Sequence, residues 1–135
     1  MNGWLLPTLG YVVLVGATGI TARLALRTIT WEELVLWVPI AYIGFSLALA
    51  LARDARLPLG IGGFWAAVTA VGAAAALILF FYALNRGDAS EVVPVSSAYP
   101  LITLVGGAIV LAERITLARV VGALVIVAGV VVISR

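Results

Sequence analysis

The sequence predicts an all-α integral membrane protein, a bundle of five transmembrane helices. Of its 135 residues, 64% are hydrophobic and 10% are charged, whereas about a quarter of the residues in a soluble domain are charged. The mean hydropathy is +1.24. The apolar residues also fall into five runs, each near the ~20 residues that cross ~30 Å of hydrocarbon. Short polar turns separate the runs, so almost no soluble mass remains.

The five runs predict one domain over residues 1–135. The predicted helices cover about residues 4–26, 31–52, 64–84, 90–112 and 116–134. The first run has no basic segment before it and is too long for a signal peptide, so it is kept as a helix. Pro7 lies in its first turn, where proline is tolerated. Arg23 is close enough to the end of the first helix for its side chain to reach the lipid headgroups. We prefer a role for Arg23 in anchoring the topology to a role in ligand contact.

The second and third helices have different compositions. Trp31 is expected at the membrane interface, with Glu32 and Glu33 in the first turn opposite the positive helix end. Pro39 lies deep enough in the second helix to remove a backbone bond and bend it. In the third helix the run Gly72–Ala76 lets another helix or a ligand approach the backbone closely. Helix packing is preferred there to a ligand channel.

The fourth helix is expected to begin with Ser90 as N-cap, and Pro94 is early enough to spare its hydrogen bonds. Ser96, Tyr99, Thr103 and Gly107 then recur at spacings of three, four and four, so they share one face. Such a face is typical of the lining of a polar cavity near the midplane. The alternative is that the hydroxyls bond to backbone carbonyls and hold helices together.

Hydroxyl and aromatic side chains on three helices form the predicted substrate site. Tyrosine and tryptophan donate hydrogen bonds and also offer a ring face to a cation or an apolar group. The candidate substrate-binding residues, chosen by helical phase, are Tyr11, Thr18, Trp65, Thr69, Ser96, Tyr99 and Thr103.

The residue types that are missing narrow the chemistry. The chain has no cysteine and no histidine, so only six carboxylates remain for metal or acid–base roles. We therefore expect no enzyme, no metal and no cofactor. The eight arginines form no basic cluster, which disfavours nucleic acid as a partner.

The arginines are balanced across the predicted topology. With five spans, four lie on the side of the N-terminus and four on the opposite side. The first four are Arg53, Arg56, Arg114 and Arg119, and the second four are Arg23, Arg27, Arg86 and Arg135. Because an excess of positive loop charge sets orientation, this balance predicts dual topology.

Several segments in order resemble a known family. These are Ala89 and Ser90 followed by Pro94, Tyr99 with Pro100, the run Leu111–Ala112–Glu113–Arg114–Ile115–Thr116, and the segment from Gly122 to Gly129. Together they resemble the second half of an EamA domain of the drug/metabolite transporter superfamily. Gly16 to Arg23 and Phe80 to Leu84 are similar to earlier parts of that domain. The resemblance implies that the chain is equivalent to one inverted repeat of a ten-helix drug/metabolite transporter.

The resemblance implies transport of a small organic solute, such as a metabolite, an amino acid or a drug-like compound. Alternating access would then use an antiparallel, dual-topology homodimer in a bilayer, and we expect a prokaryotic cell (inner) membrane. Gly122 and Gly129 are similar to the dimerisation helix of small multidrug resistance proteins. The expected dimer interface comprises Ala118, Gly122, Ile126, Gly129 and Ile133. Packing of the fifth helix against the fourth is the competing explanation for these glycines.

One departure bears on the substrate. Small multidrug resistance transporters carry an acidic residue inside their first helix, and residues 4–26 contain none. This favours a neutral, zwitterionic or lipid-linked substrate, or uncoupled movement. Glu91 and Glu113 are the remaining candidates for an acid that gates or couples transport. For both residues, helix capping or solvation in a loop is the preferred role. The alternative functions are an accessory or structural membrane subunit that transports nothing and a flippase component for lipid-linked substrates, each acting with a different partner.

Overall fold

The computed structural model describes Gly3 and residues 5–133, so the predicted helix ends at Trp4 and Ser134, and also Arg135, lie outside the described residues. The described part is helical and contains no strand. Its helices are α1 (Leu5–Ala25), α2 (Trp31–Arg53), α3 (Ile61–Arg86), α4 (Ala89–Ser96), α5 (Tyr99–Val110) and α6 (Leu117–Ile133). The prediction of an all-α membrane protein is confirmed.

Four segments are long and apolar enough to cross a membrane: α1, α2, α3 and the pair α4–α5 over Ala89–Val110. The described part of α6 has 17 residues and rises about 25 Å, at the lower limit for a span. The chain groups into two compact units, Met1–Arg86 and Gly87–Arg135. A single domain over residues 1–135 stays a prediction.

In the first unit α3 packs against both α1 and α2. The buried residues of α1 are Gly19 and Ala22, and those of α3 are Phe81 and Leu84. The small side chains on α1 let the two backbones approach, as in other membrane helix pairs. Arg23 lies beside this contact, and its guanidinium donates a 2.7 Å hydrogen bond to the carbonyl oxygen of Leu84. Arg23 therefore also satisfies a carbonyl at the end of α3.

A capping box begins α2. The Glu33 carboxylate accepts a 2.8 Å hydrogen bond from the Thr30 amide, and the Glu33 amide donates to the Thr30 hydroxyl at 3.3 Å. Both bonds satisfy donors that the first helical turn leaves without partners. Helix capping is therefore the role the structure shows for Glu33. At the other end of α2, Asp54 takes a left-handed conformation with φ 47°.

The turn between α2 and α3 requires glycine at two positions. Gly60 has φ +89°, which residues with a β-carbon rarely adopt. A β-carbon at Gly63 would collide with the carbonyl oxygen of Pro58. Because the turn is this tight, α3 starts at Ile61, three residues before the predicted start at Phe64.

The predicted helix over residues 90–112 is wrong in one respect: it is broken into α4 and α5. The break lies at Ser97 and Ala98. Its physical cause is Pro100, which has no N–H for the Ser96 carbonyl and whose ring clashes with that carbonyl in a continuous helix. The predicted N-cap is also wrong, because Asp88 is the N-cap residue of α4 and Ser90 is already helical.

In the second unit α6 packs against α4 and α5. The partly buried residues of α6 are Ala123, Ile126 and Val130, at spacings of three and four. These residues define its packed face. In α5 the buried residue is Gly107, and a β-carbon there would lie 3.4 Å from the Glu113 carboxylate.

Candidate substrate site

All four predicted hydroxyl residues bond to their own helix. The bonds run from Thr18 to the Leu14 carbonyl (2.8 Å), from Thr69 to Trp65 (2.9 Å), from Ser96 to Val93 (2.7 Å) and from Thr103 to Tyr99 (3.3 Å). This is the back-bonding that the sequence left open as an alternative. A hydroxyl that donates in this way keeps its lone pairs. The four exposed side chains therefore remain able to accept hydrogen bonds.

The three predicted aromatic residues are exposed: 52% for Tyr11, 61% for Trp65 and 54% for Tyr99. Trp65 packs edge-to-face against Phe64, with ring centroids 5.3 Å apart. Tyr99 is the first residue of α5. Each aromatic surface is thus presented outward from its own unit, where it can meet an apolar or cationic group.

The structure gathers three of the predicted residues at the break in the fourth span. Ser96 ends α4, Tyr99 begins α5, and Thr103 bonds back to Tyr99 one turn later. Tyr11 and Thr18 lie on α1, and Trp65 and Thr69 lie on α3. The buried contact between α1 and α3 is elsewhere, near the C-terminal ends of both helices. The substrate site built from all seven residues stays a prediction.

The break adds Ser97, which the sequence analysis did not select. Its hydroxyl donates to the Val93 carbonyl at 2.9 Å, and its amide bonds to the same carbonyl at 3.1 Å. Pro94 and Pro100 have no N–H for the carbonyls of Ser90 and Ser96. The expectation that Pro94 spares the hydrogen bonds of the helix is therefore wrong, because α4 begins at Ala89 and Pro94 lies inside it. Backbone groups exposed in this way at membrane depth are typical of broken helices that bind solutes. A pair of serines between two prolines, Pro94 and Pro100, is the sequence signal that could have identified Ser97.

A second feature that the sequence analysis did not find is a partly open groove of about 410 Å³ between α2 and α3. It is lined by Val35, Leu36, Val38, Pro39, Tyr42, Ala70, Ala73, Ala74, Leu77 and Ile78. The small side chains of Ala73 and Ala74 leave room beside Pro39. The run Gly72–Ala76 and Pro39 gave a signal for such a space, because a proline bends its helix and small side chains do not fill the gap where the two backbones diverge.

The glycine-containing face of α6 is open. A β-carbon added at Gly122 or Gly129 meets nothing within 4 Å. Ala118 and Ile133 on the same face are exposed, whereas Ile126, the remaining residue of the expected interface, is partly buried and belongs to the packed face. Packing against α4 or α5, the other described helices of the second unit, therefore does not account for the two glycines.

The connection from α5 to α6 contains Glu113 and Arg114, the charged residues of the run Leu111–Thr116. Arg119 lies 3.9 Å from the Glu113 carboxylate and donates to the Arg114 carbonyl at 3.1 Å. The Arg119 amide also bonds to the Thr116 hydroxyl at 3.4 Å. Because Arg119 and Glu113 are more than half exposed, their ion pair adds little stability. Among the described residues, no three His, Cys, Asp or Glu side chains are grouped to hold a metal.

These features define a multi-pass integral membrane protein with a broken, hydroxyl-bearing span. The model of the EamA-like transporter family matches residues 2–135, and the chain belongs to this family. It is therefore a member of the drug/metabolite transporter superfamily. The chain is also 37% identical over 70 residues to an uncharacterized protein of Methanocaldococcus jannaschii, covering 52% of this chain and 51% of that protein. The chain thus spans about half the length of this curated relative. No solved structure matches.

Proposed function

We propose that this protein transports a small organic solute, such as a metabolite, an amino acid or a drug-like compound, by alternating access. The transporting species is an antiparallel, dual-topology homodimer in a prokaryotic inner membrane. The observation that carries the proposal is the family match over residues 2–135. Many transporters are built from inverted repeats with the substrate between them, and an antiparallel pair provides that arrangement from one kind of chain.

The break between α4 and α5 supports the position of the substrate site. Ser96 and Tyr99 flank it, and the prolines leave backbone carbonyls available there. The hydroxyls of Ser96 and Thr103 already donate to their own helix, so they offer lone pairs rather than protons. A substrate with N–H or O–H donors and an apolar part fits these groups and the Tyr99 ring.

The acid distribution supports a substrate that needs no buried counter-charge. Helix α1 over Leu5–Ala25 contains no aspartate or glutamate. A transporter that exchanges protons for cations generally needs an intramembrane carboxylate. We therefore assign neutral or zwitterionic solutes, moved without a carboxylate in α1.

The open face of α6 supports self-association. Gly122 and Gly129 are seven residues apart, about two turns, so both face the same direction. No described atom fills the space above either glycine. Small residues on an exposed membrane face allow a second helix to approach closely. We assign this face to the contact with the second copy.

A reporter of cytoplasmic or external location, fused after Arg135, tests the proposal. Comparable signals from both sides are expected, because the arginines give no orientation bias. Removing Arg53 and Arg56 shifts the C-terminus to the cytoplasm, and removing Arg23 and Arg27 shifts it outside. A single orientation that these changes do not alter would contradict the antiparallel homodimer.

A further inference from the structure

The α2–α3 groove leads directly to a cluster of aromatic and cationic side chains. On α3 the groove residues Ala70, Ala74 and Ile78 are spaced by four, and the next positions in that row are Tyr82 and Arg86. Each step of four turns about 40° around the helix, so Tyr82 and Arg86 lie beyond the groove lining, toward the end of α3.

The facing wall on α2 ends in the same cluster. Val35 and Pro39 line the groove, and Trp31 precedes Val35 by four residues. The Trp31 and Tyr82 rings meet edge-to-face, with centroids 5.4 Å apart. The Arg86 guanidinium lies 4.7 Å from the centre of the Tyr82 ring. The two aromatic rings thus close one end of the groove beneath Arg86.

The depth of the groove corresponds to one leaflet. Trp31 and Arg86 are terminal residues of their helices, where aromatic and basic side chains meet the headgroups. Val35 and Tyr42 follow Trp31 by four and eleven residues, so the groove extends from about 6 to 17 Å below that level. Half of a ~30 Å hydrocarbon core is about 15 Å. The groove therefore ends near the bilayer midplane.

The walls and the charge indicate the occupant. Tyr42 is the one lining residue with a polar side chain. The Arg86 side chain is exposed and contacts the Tyr82 ring, whereas the Glu33 carboxylate accepts a hydrogen bond from Thr30. Glu32 precedes the groove residue Leu36 by four positions and so lies at the same end of the α2 wall, whereas the Arg86 guanidinium lies over the Tyr82 ring on α3. An exposed arginine suits a phosphate, which it binds through two parallel hydrogen bonds.

We infer that the α2–α3 groove binds one acyl chain of an anionic phospholipid whose phosphate is held by Arg86. The fit is to a lipid rather than to a second copy, because a partner helix crosses the whole hydrocarbon layer and meets the groove over only half its length. A polar solute fits less well, because the Tyr42 hydroxyl is the one polar side-chain group in the groove walls. Lipid binding here is independent of the substrate site at the α4–α5 break.

Native mass spectrometry of the detergent-solubilised full chain tests this site, with titration of palmitoyl-oleoyl phosphatidylglycerol and phosphatidylcholine. We expect the phosphatidylglycerol complex to form about tenfold more tightly, since both lipids offer Arg86 a phosphate but the choline cation of phosphatidylcholine offsets the phosphate charge. Arg86→Gln removes this preference. The matched control is Arg27→Gln, which removes an exposed arginine expected on the same membrane side and leaves the preference intact. Equal losses in both variants would show diffuse attraction and overturn the site.

The groove itself is tested by filling it. Ala74→Leu puts a larger side chain into the groove, and we expect several-fold weaker binding of both lipids. Ala75→Leu makes the same change at an exposed position outside the lining and should leave binding unchanged. If Ala74→Leu does not fold by circular dichroism, Ala70→Leu fills the same row one turn away. Equal effects inside and outside the groove, or full displacement by glycerol 3-phosphate alone, would overturn the assignment.

Discussion

Arg23 shows how one residue serves both the membrane and the fold. Its position near the end of α1 predicts interfacial anchoring, but its guanidinium also donates to the carbonyl of Leu84 at 2.7 Å. Leu84 is fully buried. Its carbonyl lies in the last turn of α3, where no later N–H group of the helix is available as a hydrogen-bond donor. A charged donor in this place connects the ends of two helices.

Arg23→Lys is expected to destabilise the first unit by about 1–2 kcal/mol while leaving the membrane orientation unchanged. Lysine keeps the positive charge, but its ammonium group lacks the planar fork of arginine. Unfolding in mixed micelles measures the change in free energy, and Arg27→Lys, at an exposed position, is the control. Equal stabilities of the two variants would contradict the role of Arg23 as a cap.

Ala112 is held in a conformation that suits glycine. Its φ is +53°, a left-handed value that costs a residue with a β-carbon about 1 kcal/mol. Ala112→Gly should therefore stabilise the second unit by about 0.5–1 kcal/mol, measured by the same unfolding assay. Ala108→Gly, inside α5, should have the opposite sign because glycine weakens a helix interior. Destabilisation by Ala112→Gly would contradict this interpretation of the turn.

At the scale of elements, the break between α4 and α5 distinguishes the fourth span from the others. Pro39 lies inside α2, which nevertheless runs unbroken from Trp31 to Arg53. Two prolines, Pro94 and Pro100, lie within the fourth span, and the helix stops between them. The second proline removes a bond near the turn that the first has already weakened.

Pro100→Ala is expected to join α4 and α5. The alanine supplies the N–H that the Ser96 carbonyl lacks, and its amide should exchange at least tenfold more slowly than that of an unbonded residue. Hydrogen exchange of the full chain in nanodiscs measures this protection. Pro39→Ala is the control and should not alter exchange over residues 97–101. Rapid exchange at position 100 in the first variant would show that the break has another cause.

The open face of α6 has a consequence for assembly. Gly122→Leu and Gly129→Leu should leave each chain folded, because no described atom lies within 4 Å of an added β-carbon. The same changes should weaken the homodimer about tenfold or more, since an overpacked contact costs about 1–3 kcal/mol. Ala123→Leu, on the packed face, should instead destabilise the fold. Cross-linking and unfolding report the two effects, and unchanged dimerisation in both glycine variants would exclude this face.

At the scale of the whole molecule, charge balance and self-pairing are linked. If two orientations of one chain form the transporter, variants fixed in one orientation should fail to pair with themselves. Arg53→Gln with Arg56→Gln favours one orientation, and Arg27→Gln with Arg135→Gln favours the other, because the side richer in arginine stays in the cytoplasm.

Co-expression of these two double variants should restore the cross-linked dimer that each lacks alone. Each variant expressed alone is the control for the other, since both have lost two arginines. Strong dimers from either variant alone would indicate a parallel pair, and no dimers from the mixture would indicate a different partner.

The class, the family and the approximate positions of the helices follow from the sequence alone. Whether a segment enters the bilayer depends on its own length and composition, because each unsatisfied polar group in hydrocarbon is costly. These properties are local, so they can be read from a single run of residues. Capping by Glu33 was predictable for the same reason, as its partner Thr30 is three residues away.

Which helix faces are packed and which are open depends on tertiary contacts. The bond from Arg23 to Leu84 joins residues 61 positions apart, and the α2–α3 groove combines Pro39 with Ala73 and Ala74 on a different helix. The vacant space above Gly122 and Gly129 likewise depends on neighbours that helical spacing does not specify. In membranes nearly every face of a helix is apolar, so composition does not distinguish a lipid-facing face from a packed one, and contacts between distant segments make that choice.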